Sequence, residues 1–157
     1  MQNETKQTKI MKTLLMTIGL VLSYTASAQW VSKTVDNGLD DPYKIAYTES
    51  GGRFLKLENI DGKILFYLDG GYTCEERVNV DLSFMVKGEY KKYSFYAVTS
   101  EDSKAVFMMT NLLTQDCLED FKASTTVKMR VNDVTCGAEI YEFKMSGSTA
   151  ALNFMSK

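Results

Sequence analysis

The most reactive side chains of this chain are three cysteines, Cys74, Cys117 and Cys136, and several groups of neighbouring carboxylates. Both kinds of residue usually work with a histidine that serves as general base or metal ligand, but the sequence contains no histidine. Any catalysis would therefore depend on carboxylate, lysine, tyrosine or cysteine side chains alone. We expect a protein that is not an enzyme, with no catalytic residue, no metal site and no cofactor.

Two groups of carboxylates have alternative chemical interpretations. The loop Asp36–Asp41 gathers three carboxylates around a glycine, a composition that calcium favours, but it lacks the ligand order and closing glutamate of an EF-hand. Glu75 and Glu76, with Asp69 and Asp81 nearby, could supply the carboxylate pair of a glycoside hydrolase, whose carboxyl groups lie roughly 5–9.5 Å apart. Nothing in the spacing fixes such a pair. Solvent-facing acids are the favoured interpretation, and a histidine-free hydrolase is the least favoured function.

The cysteines differ in their surroundings. Cys74 and Cys136 lie near turns at the ends of predicted strands, whereas Cys117 lies on the apolar stripe of a predicted helix. A disulfide is expected in an oxidising compartment. We favour a Cys74–Cys136 disulfide with Cys117 free, and three reduced thiols are the alternative. The bridge would close a loop of about 60 residues, which contributes on the order of 4 kcal/mol in the chain-entropy model.

Residues 1–28 predict a secretory signal peptide, with Met11 as the natural start. Lys12 supplies the positive charge, Leu14–Leu22 the apolar core, and Ala26-Ser27-Ala28 the small-residue cleavage site. The apolar run is shorter than the roughly 20 residues that a membrane span requires, so we predict no transmembrane segment. The expected location is periplasmic or extracellular, and residues 29–157 form the expected single domain.

Charge argues against two classes of partner. After removal of residues 1–28 the chain keeps 15 basic and 19 acidic residues, and they are dispersed along the sequence. Nucleic acid and anionic lipid surfaces require clustered cations, so we expect neither. Aromatic residues and lysines mix in Tyr90–Tyr96, as on proteins that stack single-stranded bases. In an acidic exported chain we assign these aromatics to both faces of a sheet.

Alternation of apolar and polar residues is the main structural signal, and it is clearest in Val78–Val86. Ile64–Leu68 is apolar on both faces, which predicts a central strand, and Asp61-Gly62 predicts a type I′ hairpin turn. The sequence therefore predicts a mainly β protein, a single-domain antiparallel β-sandwich of about eight or nine strands. The segments are Trp30–Val35, Tyr43–Glu49, Arg53–Ile60, Lys63–Asp69, Val78–Val86, Glu89–Thr99, Lys104–Thr110, one from about Thr126, and Tyr141–Met145.

Two segments have helical character. Residues 111–122 place Leu113, Cys117 and Phe121 at a spacing of four, which predicts an amphipathic helix with Asn111 as its N-cap. A shorter C-terminal helix is predicted over Ser148–Met155, capped by Ser148. We expect both helices to close an open end or face of the β core.

Gly70-Gly71-Tyr72 follows the most apolar strand and is the predicted binding segment. Two glycines permit a sharp bend or a close backbone approach, which would place Tyr72 at a loop tip. An aromatic residue at a tip brings contact area at low entropic cost. The alternative is that Tyr72 folds back over the Cys74 bridge.

The order of features resembles that of small exported proteins of the type VI secretion-associated VasI-like group, and more distantly the invasion-associated locus B proteins. The similar pieces are Trp30, Phe54–Leu57, the Val78–Val86 strand, and Glu142–Ser148 followed by Ala151-Leu152. They span nearly all of residues 29–157 as a pattern of short elements. The cysteine expected beside the second strand of that group is absent here. The resemblance implies a β-sandwich of unassigned biochemistry.

Together these features predict an exported, non-enzymatic binding or accessory protein of the bacterial cell envelope. Its partner would be an unknown protein or envelope component, met through loop tips and a sheet face. The alternative function is a small β-barrel that carries an apolar ligand. Nine methionines and many aromatics could line such a cavity, although these residue types more often fill a core.

Overall fold

The computed structural model describes residues 30–101, 105–109 and 113–157, with the backbone alone for 107–109. The predicted signal peptide, residues 1–28, lies outside these residues. The described chain confirms a mainly β protein with two helices. The strands are β1 (Val31–Val35), β2 (Tyr43–Ser50), β3 (Arg53–Ile60), β4 (Lys63–Asp69), β5 (Arg77–Val86), β6 (Glu89–Thr99), β7 (Ala105–Met109), β8 (Thr126–Asp133) and β9 (Gly137–Lys144); the helices are α1 (Gln115–Ala123) and α2 (Ser148–Met155).

The nine strands form one antiparallel sheet in the order β1-β2-β3-β4-β7-β6-β5-β8-β9. The junction between β7 and β6 is narrow, because only Val98 with Phe107 and Thr99 with Val106 are paired across it. By contrast, β5 pairs with β6 along its whole length. The junction divides the sheet into a β1-β2-β3-β4-β7 half and a β6-β5-β8-β9 half.

The two halves face one another, which gives the fold its sandwich-like form. β2 of the first half contacts β9 of the second. The hydroxyl of Thr48 donates to the carbonyl oxygen of Lys144 at 3.5 Å. The backbone N–H of Trp30 donates to the carbonyl oxygen of Ser146 at 3.3 Å. The apolar side chains of both halves meet in one buried cluster, whose largest fully buried members are Phe66, Phe84, Phe143, Leu55, Leu57, Leu68, Leu82 and Met129.

The helices close one end of this core. α2 packs against α1 and against β1, β2 and β3, while α1 contacts β5. Phe121 of α1 is 2 % exposed and makes edge-on ring contacts with Trp30 at 5.6 Å, Phe66 at 5.8 Å and Phe84 at 6.1 Å. These rings connect the first residue of the described chain, both halves of the sheet and the helical end.

The start of α1 differs from the prediction. The predicted cap, Asn111, lies outside the described residues, and the helix begins at Gln115 with Thr114 as its N-cap. The Thr114 hydroxyl oxygen accepts a hydrogen bond from the backbone N–H of Cys117 at 3.2 Å. Leu113 is buried although it precedes the helix. Because it is apolar and four residues before Cys117, the prediction placed the start of the helix too early.

The bounds of α2 were predicted correctly, but its cap was not. Gly147 is the N-cap, with a φ of 89°. This left-handed conformation turns Ser148 into the core, where it is 1 % exposed and its hydroxyl donates to the carbonyl oxygen of Phe121 at 3.2 Å. The serine therefore joins the two helices instead of capping its own.

Local turn chemistry agrees with the sequence. Asp61 and Gly62 have φ values of 51° and 78°, as the predicted type I′ turn between β3 and β4 requires.

At one edge of the sheet, β1 pairs with β2 alone, and four of its five residues are exposed. Lys33 lies at the centre of this edge strand, with its ammonium group 5.9 Å from the ring centre of Tyr47.

Candidate binding surface

The loop after β4 lies at the end of the sandwich opposite the helices. A side chain at Gly70, whose φ is 84°, would meet the carbonyl oxygen of Gly52 at 3.1 Å. A side chain at Gly71 would lie 3.1 Å from Leu68 and 3.6 Å from the hydroxyl of Tyr141. Both positions are thus crowded by the protein itself, which accounts for the two glycines through packing.

Tyr72, the third residue of the predicted binding segment, combines the two alternatives for its role. It is 61 % exposed, and its hydroxyl lies 3.9 Å from the sulfur of Cys74. The side chain therefore folds back toward the disulfide while leaving most of its surface open. It remains available for contact with a partner.

The structure joins Cys74 and Cys136 in a disulfide, the pairing that the sequence favours, with a Cα–Cα distance of 5.7 Å. Asp133 organises the backbone around this bridge. Its carboxylate accepts from the N–H groups of Cys74 at 2.5 Å, Cys136 at 2.7 Å, Thr135 at 2.8 Å and Glu75 at 3.3 Å. One side chain thus holds both segments that the disulfide connects.

Asp133 is 6 % exposed, so the balance between burial and hydrogen bonding determines whether its carboxyl group is ionised. Burial alone would raise the pKa of the Asp133 carboxyl, but the four backbone N–H donors outweigh burial and hold that pKa below its ordinary value. The carboxylate is therefore ionised at neutral pH and stabilised where it lies. The Asp133 carboxylate therefore has a structural role, in which its charge strengthens the hydrogen bonds that hold the surrounding backbone.

Glu75 fastens the same loop to its neighbours. Its carboxylate accepts from the hydroxyl of Thr135 at 2.8 Å, and its carbonyl oxygen accepts from the hydroxyl of Thr99 at 2.9 Å. The backbone N–H of Thr99 donates to the carbonyl oxygen of Glu76 at 2.9 Å. The disulfide loop is therefore bound to the end of β6 through the backbone of Glu75 and Glu76, and to Thr135 through the carboxylate of Glu75.

The other two acids considered for a hydrolase site are also engaged, each in a different contact. Asp69 forms an ion pair with Lys56 on the first half of the sheet. Asp81 accepts from the Ser94 hydroxyl at 2.6 Å and from the Asn132 amide at 2.9 Å on the second half. These two hydrogen bonds outweigh burial and lower the pKa of Asp81. Asp69 and Asp81 are therefore held in separate contacts on the two halves of the sheet.

Cys117 is the free cysteine of the described chain. It is fully buried on α1, and burial, reinforced by the charge of Asp120, raises the pKa of its thiol to about 12. The thiol is therefore protonated at neutral pH. Since the thiolate is the reactive form of cysteine, Cys117 acts as a small apolar core residue.

The disulfide end also contains a group with metal-ligand chemistry, because ligand atoms of Cys74, Asp133 and Cys136 lie within 4.8 Å of one another. In the oxidised form the two sulfurs are bonded to each other, and the oxygens of Asp133 are occupied by backbone N–H groups. The donor set therefore fits a cross-link and its anchor better than an ion.

The loop considered for calcium uses its polar atoms internally. Asp36 accepts from the N–H of Gly38 at 2.8 Å, and the amide oxygen of Asn37 accepts from the N–H groups of Leu39 and Asp40, each at 3.0 Å. Asn37 also donates to the carboxylate of Asp40 at 3.0 Å. These are the contacts of a self-supporting polar turn.

The outer face of the β6-β5-β8-β9 half exposes apolar side chains that sequence reasoning did not assign to a site. We define this outer sheet face as the even-numbered residues of β6, β8 and β9 and the odd-numbered residues of β5, which alternate with the buried ones. Tyr96 is 84 % exposed, Ile140 66 % and Val98 55 %. The signal was available, since apolar residues occupied positions on the polar side of an alternating strand.

The same face gathers positive charge. The sequence disperses its cations, but strand alternation brings five of them to the outer sheet face, namely Arg77, Lys92, Lys128, Arg130 and Lys144. The face carries two carboxylates, Asp81 and Glu142. Dispersal along the sequence therefore does not carry over to the folded surface, because residues distant in sequence share one side of the sheet.

One gap in the described core bears on the alternative of an apolar-ligand carrier. It lies beneath the helices, is lined by apolar residues and is too small to hold a water molecule. A small-molecule site requires roughly 300–1,000 Å³. The residues around this gap are Leu57, Phe66, Leu113, Leu118, Phe121 and Leu152.

A surface cleft of about 670 Å³ opens at the helical end, between the loop before β2 and the β3–β4 turn. Asp40, Asp41, Glu58 and Asp61 are among its lining residues, together with Lys44. The two aspartates of the loop are exposed. The cleft is therefore acidic and open, in contrast to the basic outer sheet face.

No protein-family model matches the chain, and neither the curated proteins nor the solved structures contain a match to it. Among the residues that the structure describes, no helix has the length and apolar character needed to cross a membrane.

Proposed function

We propose that this protein is an exported, non-enzymatic binding or accessory protein that acts through the outer sheet face and the adjacent disulfide loop. The observation that carries the proposal is the set of exposed apolar side chains on one otherwise polar sheet face. Tyr96, Val98 and Ile140 are each more than half exposed. Tyr96 and Val98 lie together on β6, Ile140 lies three strands away on β9, and tyrosine is enriched in protein interfaces.

Export is supported by two features of different origin. The segment before Trp30 has the order of charge, apolar core and small residues of a signal peptide. The Cys74–Cys136 disulfide is the kind of bond that persists in the periplasm or outside the cell. N-terminal sequencing of the protein purified from its host tests this: Gln29 is the expected first residue, and a protein that begins at Met1 or Met11 contradicts it.

A non-enzymatic role is supported by the separate engagement of the candidate acids. Asp69, Glu75 and Asp81 are each bound in a different local contact, and the Cys117 thiol is buried and protonated at neutral pH. These acids and this thiol therefore lie in separate contacts of the fold, and none of them is paired with another of the candidate groups in the contacts described.

Site-directed photocrosslinking in the native host tests the binding function. A photoreactive phenylalanine replaces Tyr96 in one variant and Leu39 in a control variant, since Leu39 is 89 % exposed at the opposite end of the fold. We expect a discrete covalent adduct from position 96 and none from position 39. The absence of an adduct from position 96, or the same adducts from both positions, would contradict the proposal.

A further inference from the structure

The outer sheet face combines an excess of cations with exposed apolar side chains. This combination limits the classes of partner that the face can bind. Its five cations and two carboxylates give an excess of three positive charges, although the whole chain has a net charge of −2. The outer face of β2, β3 and β4 has no such excess, because Lys56 and Lys63 are accompanied by Glu49, Glu58 and Asp69. The positive charge is therefore segregated to one side.

The two carboxylates of this face are already engaged. Asp81 on β5 accepts from Ser94 on β6 and Asn132 on β8, so its charge connects three neighbouring strands. Glu142 lies 3.8 Å from the ammonium group of Lys128. Both acids are thus satisfied within the sheet.

Arg130 lies across from Asp81 in the β5–β8 ladder, and the charges of Arg130 and Lys92 help to lower the pKa of Asp81, but neither cation forms a close ion pair with it. Within the described residues, Arg77, Lys92 and Arg130 form no ion pair at 4.0 Å or less. Their strands are held in register by the β5–β6 and β5–β8 ladders, so the charges are displayed on a rigid surface. Cations displayed in this way favour an anionic partner electrostatically.

We propose, on the basis of the binding function inferred above, that the outer sheet face binds an acidic segment of a partner protein. A polypeptide fits because it brings carboxylates for Arg77, Lys92 and Arg130 together with apolar side chains that cover Val98 and Ile140. Tyrosine and arginine are enriched in protein interfaces, and the Asn79–Tyr96 pair lies two residues along the ladder from the Arg77–Val98 pair, on the same face.

Other anionic partners fit this surface less well. A polysaccharide or nucleic acid stacks on tyrosine but leaves the aliphatic surface of Val98 and Ile140 uncovered. A second copy of this chain, docked face to face, would set one group of cations against the same group. The acidic polypeptide is the occupant for which both the charge and the apolar surface are complementary.

Binding to a copolymer of glutamate and tyrosine, measured by microscale thermophoresis at low and moderate salt, tests this. We expect the Lys92→Glu/Arg130→Glu double variant to bind about tenfold more weakly than wild type, since rim charges govern such association. Tyr96→Ala should also weaken binding. The control is Lys33→Glu/Lys63→Glu on β1 and β4, which should bind like wild type, and circular dichroism melting verifies that all variants fold.

Polygalacturonate, single-stranded polynucleotide and phosphatidylglycerol vesicles serve as competing probes. Tighter binding of any of these than of the copolymer, or equal copolymer binding by wild type and the Lys92→Glu/Arg130→Glu variant, would overturn the acidic-polypeptide assignment. The crosslinking experiment separates the two proposals. An adduct from position 96 combined with failure here removes only the partner class, whereas no adduct removes the binding function itself.

Discussion

Asp133 shows at the scale of one residue how a buried charge is used for structure. We predict that Asp133→Asn destabilises the fold by about 2–3 kcal/mol, since it weakens charge-assisted hydrogen bonds from four backbone N–H groups and aims an amide donor at them. Urea unfolding at pH 7 measures the difference. The control is Asp61→Asn on an exposed turn, for which we expect almost no change.

The same residue makes stability depend on pH. The pKa of the Asp133 carboxyl is lower in the folded protein than its ordinary value, which is near 3.9 in an unfolded chain. Its contribution is therefore fully present above that ordinary value and is lost as the pH falls through the lower folded pKa. Unfolding measured from pH 7 to pH 2 should show a smaller acid-induced loss for Asp133→Asn than for wild type, and equal losses would contradict this.

Gly70 separates backbone strain from crowding. Gly70→Ala combines a φ of 84° with a carbonyl oxygen 3.1 Å from the new methyl group, whereas Gly88→Ala has a φ of 88° and nothing within 4 Å. We expect the φ strain to lower the free energy of unfolding by about 1–3 kcal/mol in both variants. The contact with the carbonyl oxygen should lower it further in Gly70→Ala alone. Equal melting temperatures for the two variants would show that the contact with Gly52 is unimportant.

At the residue scale, the chemical character of a side chain was easier to predict from the sequence than the contacts it makes. The free, buried Cys117 and the turn at Asp61 follow from local pattern, because helical spacing and turn dihedrals are local properties. The role of Asp133 was not predicted, since its four donors come from two segments that only the folded chain brings together.

At the scale of elements, the cap of α1 offers a direct test of the corrected helix start. Thr114→Ala removes the acceptor for the Cys117 N–H and should cost about 1 kcal/mol. Thr114→Ser keeps the hydroxyl and should lose much less. Guanidinium unfolding of the two variants measures the contrast, and equal stability would place the functional cap elsewhere.

Strand bounds were largely predictable, whereas the surface they build was not. The apolar runs and the turn residues between them located β3, β4 and β6 at the residues where the structure has them, because both signals are local in sequence. The outer sheet face depends on which strands are neighbours. β8 adds beside β5 and β6 pairs with β7, and no local pattern specifies these partners.

At the scale of the whole molecule, the disulfide connects the loop before β5 to the turn after β8. It spans 62 residues, so the chain-entropy model assigns it about 4 kcal/mol of stabilisation. We predict that dithiothreitol lowers the melting temperature of the wild-type protein strongly and leaves the Cys74→Ser/Cys136→Ser variant unchanged. A wild-type melting temperature that dithiothreitol leaves unchanged would contradict the prediction.

The exposed edge strand β1 has a consequence for assembly. A sheet edge with unpaired backbone groups invites another chain to extend it. Lys33 occupies the middle residue of this five-residue strand, so two copies meeting there about a twofold axis would bring their ammonium groups opposite each other. Like charges in that position oppose the pairing. Dimerisation through this edge is thereby disfavoured, which leaves the proposed recognition to the outer sheet face.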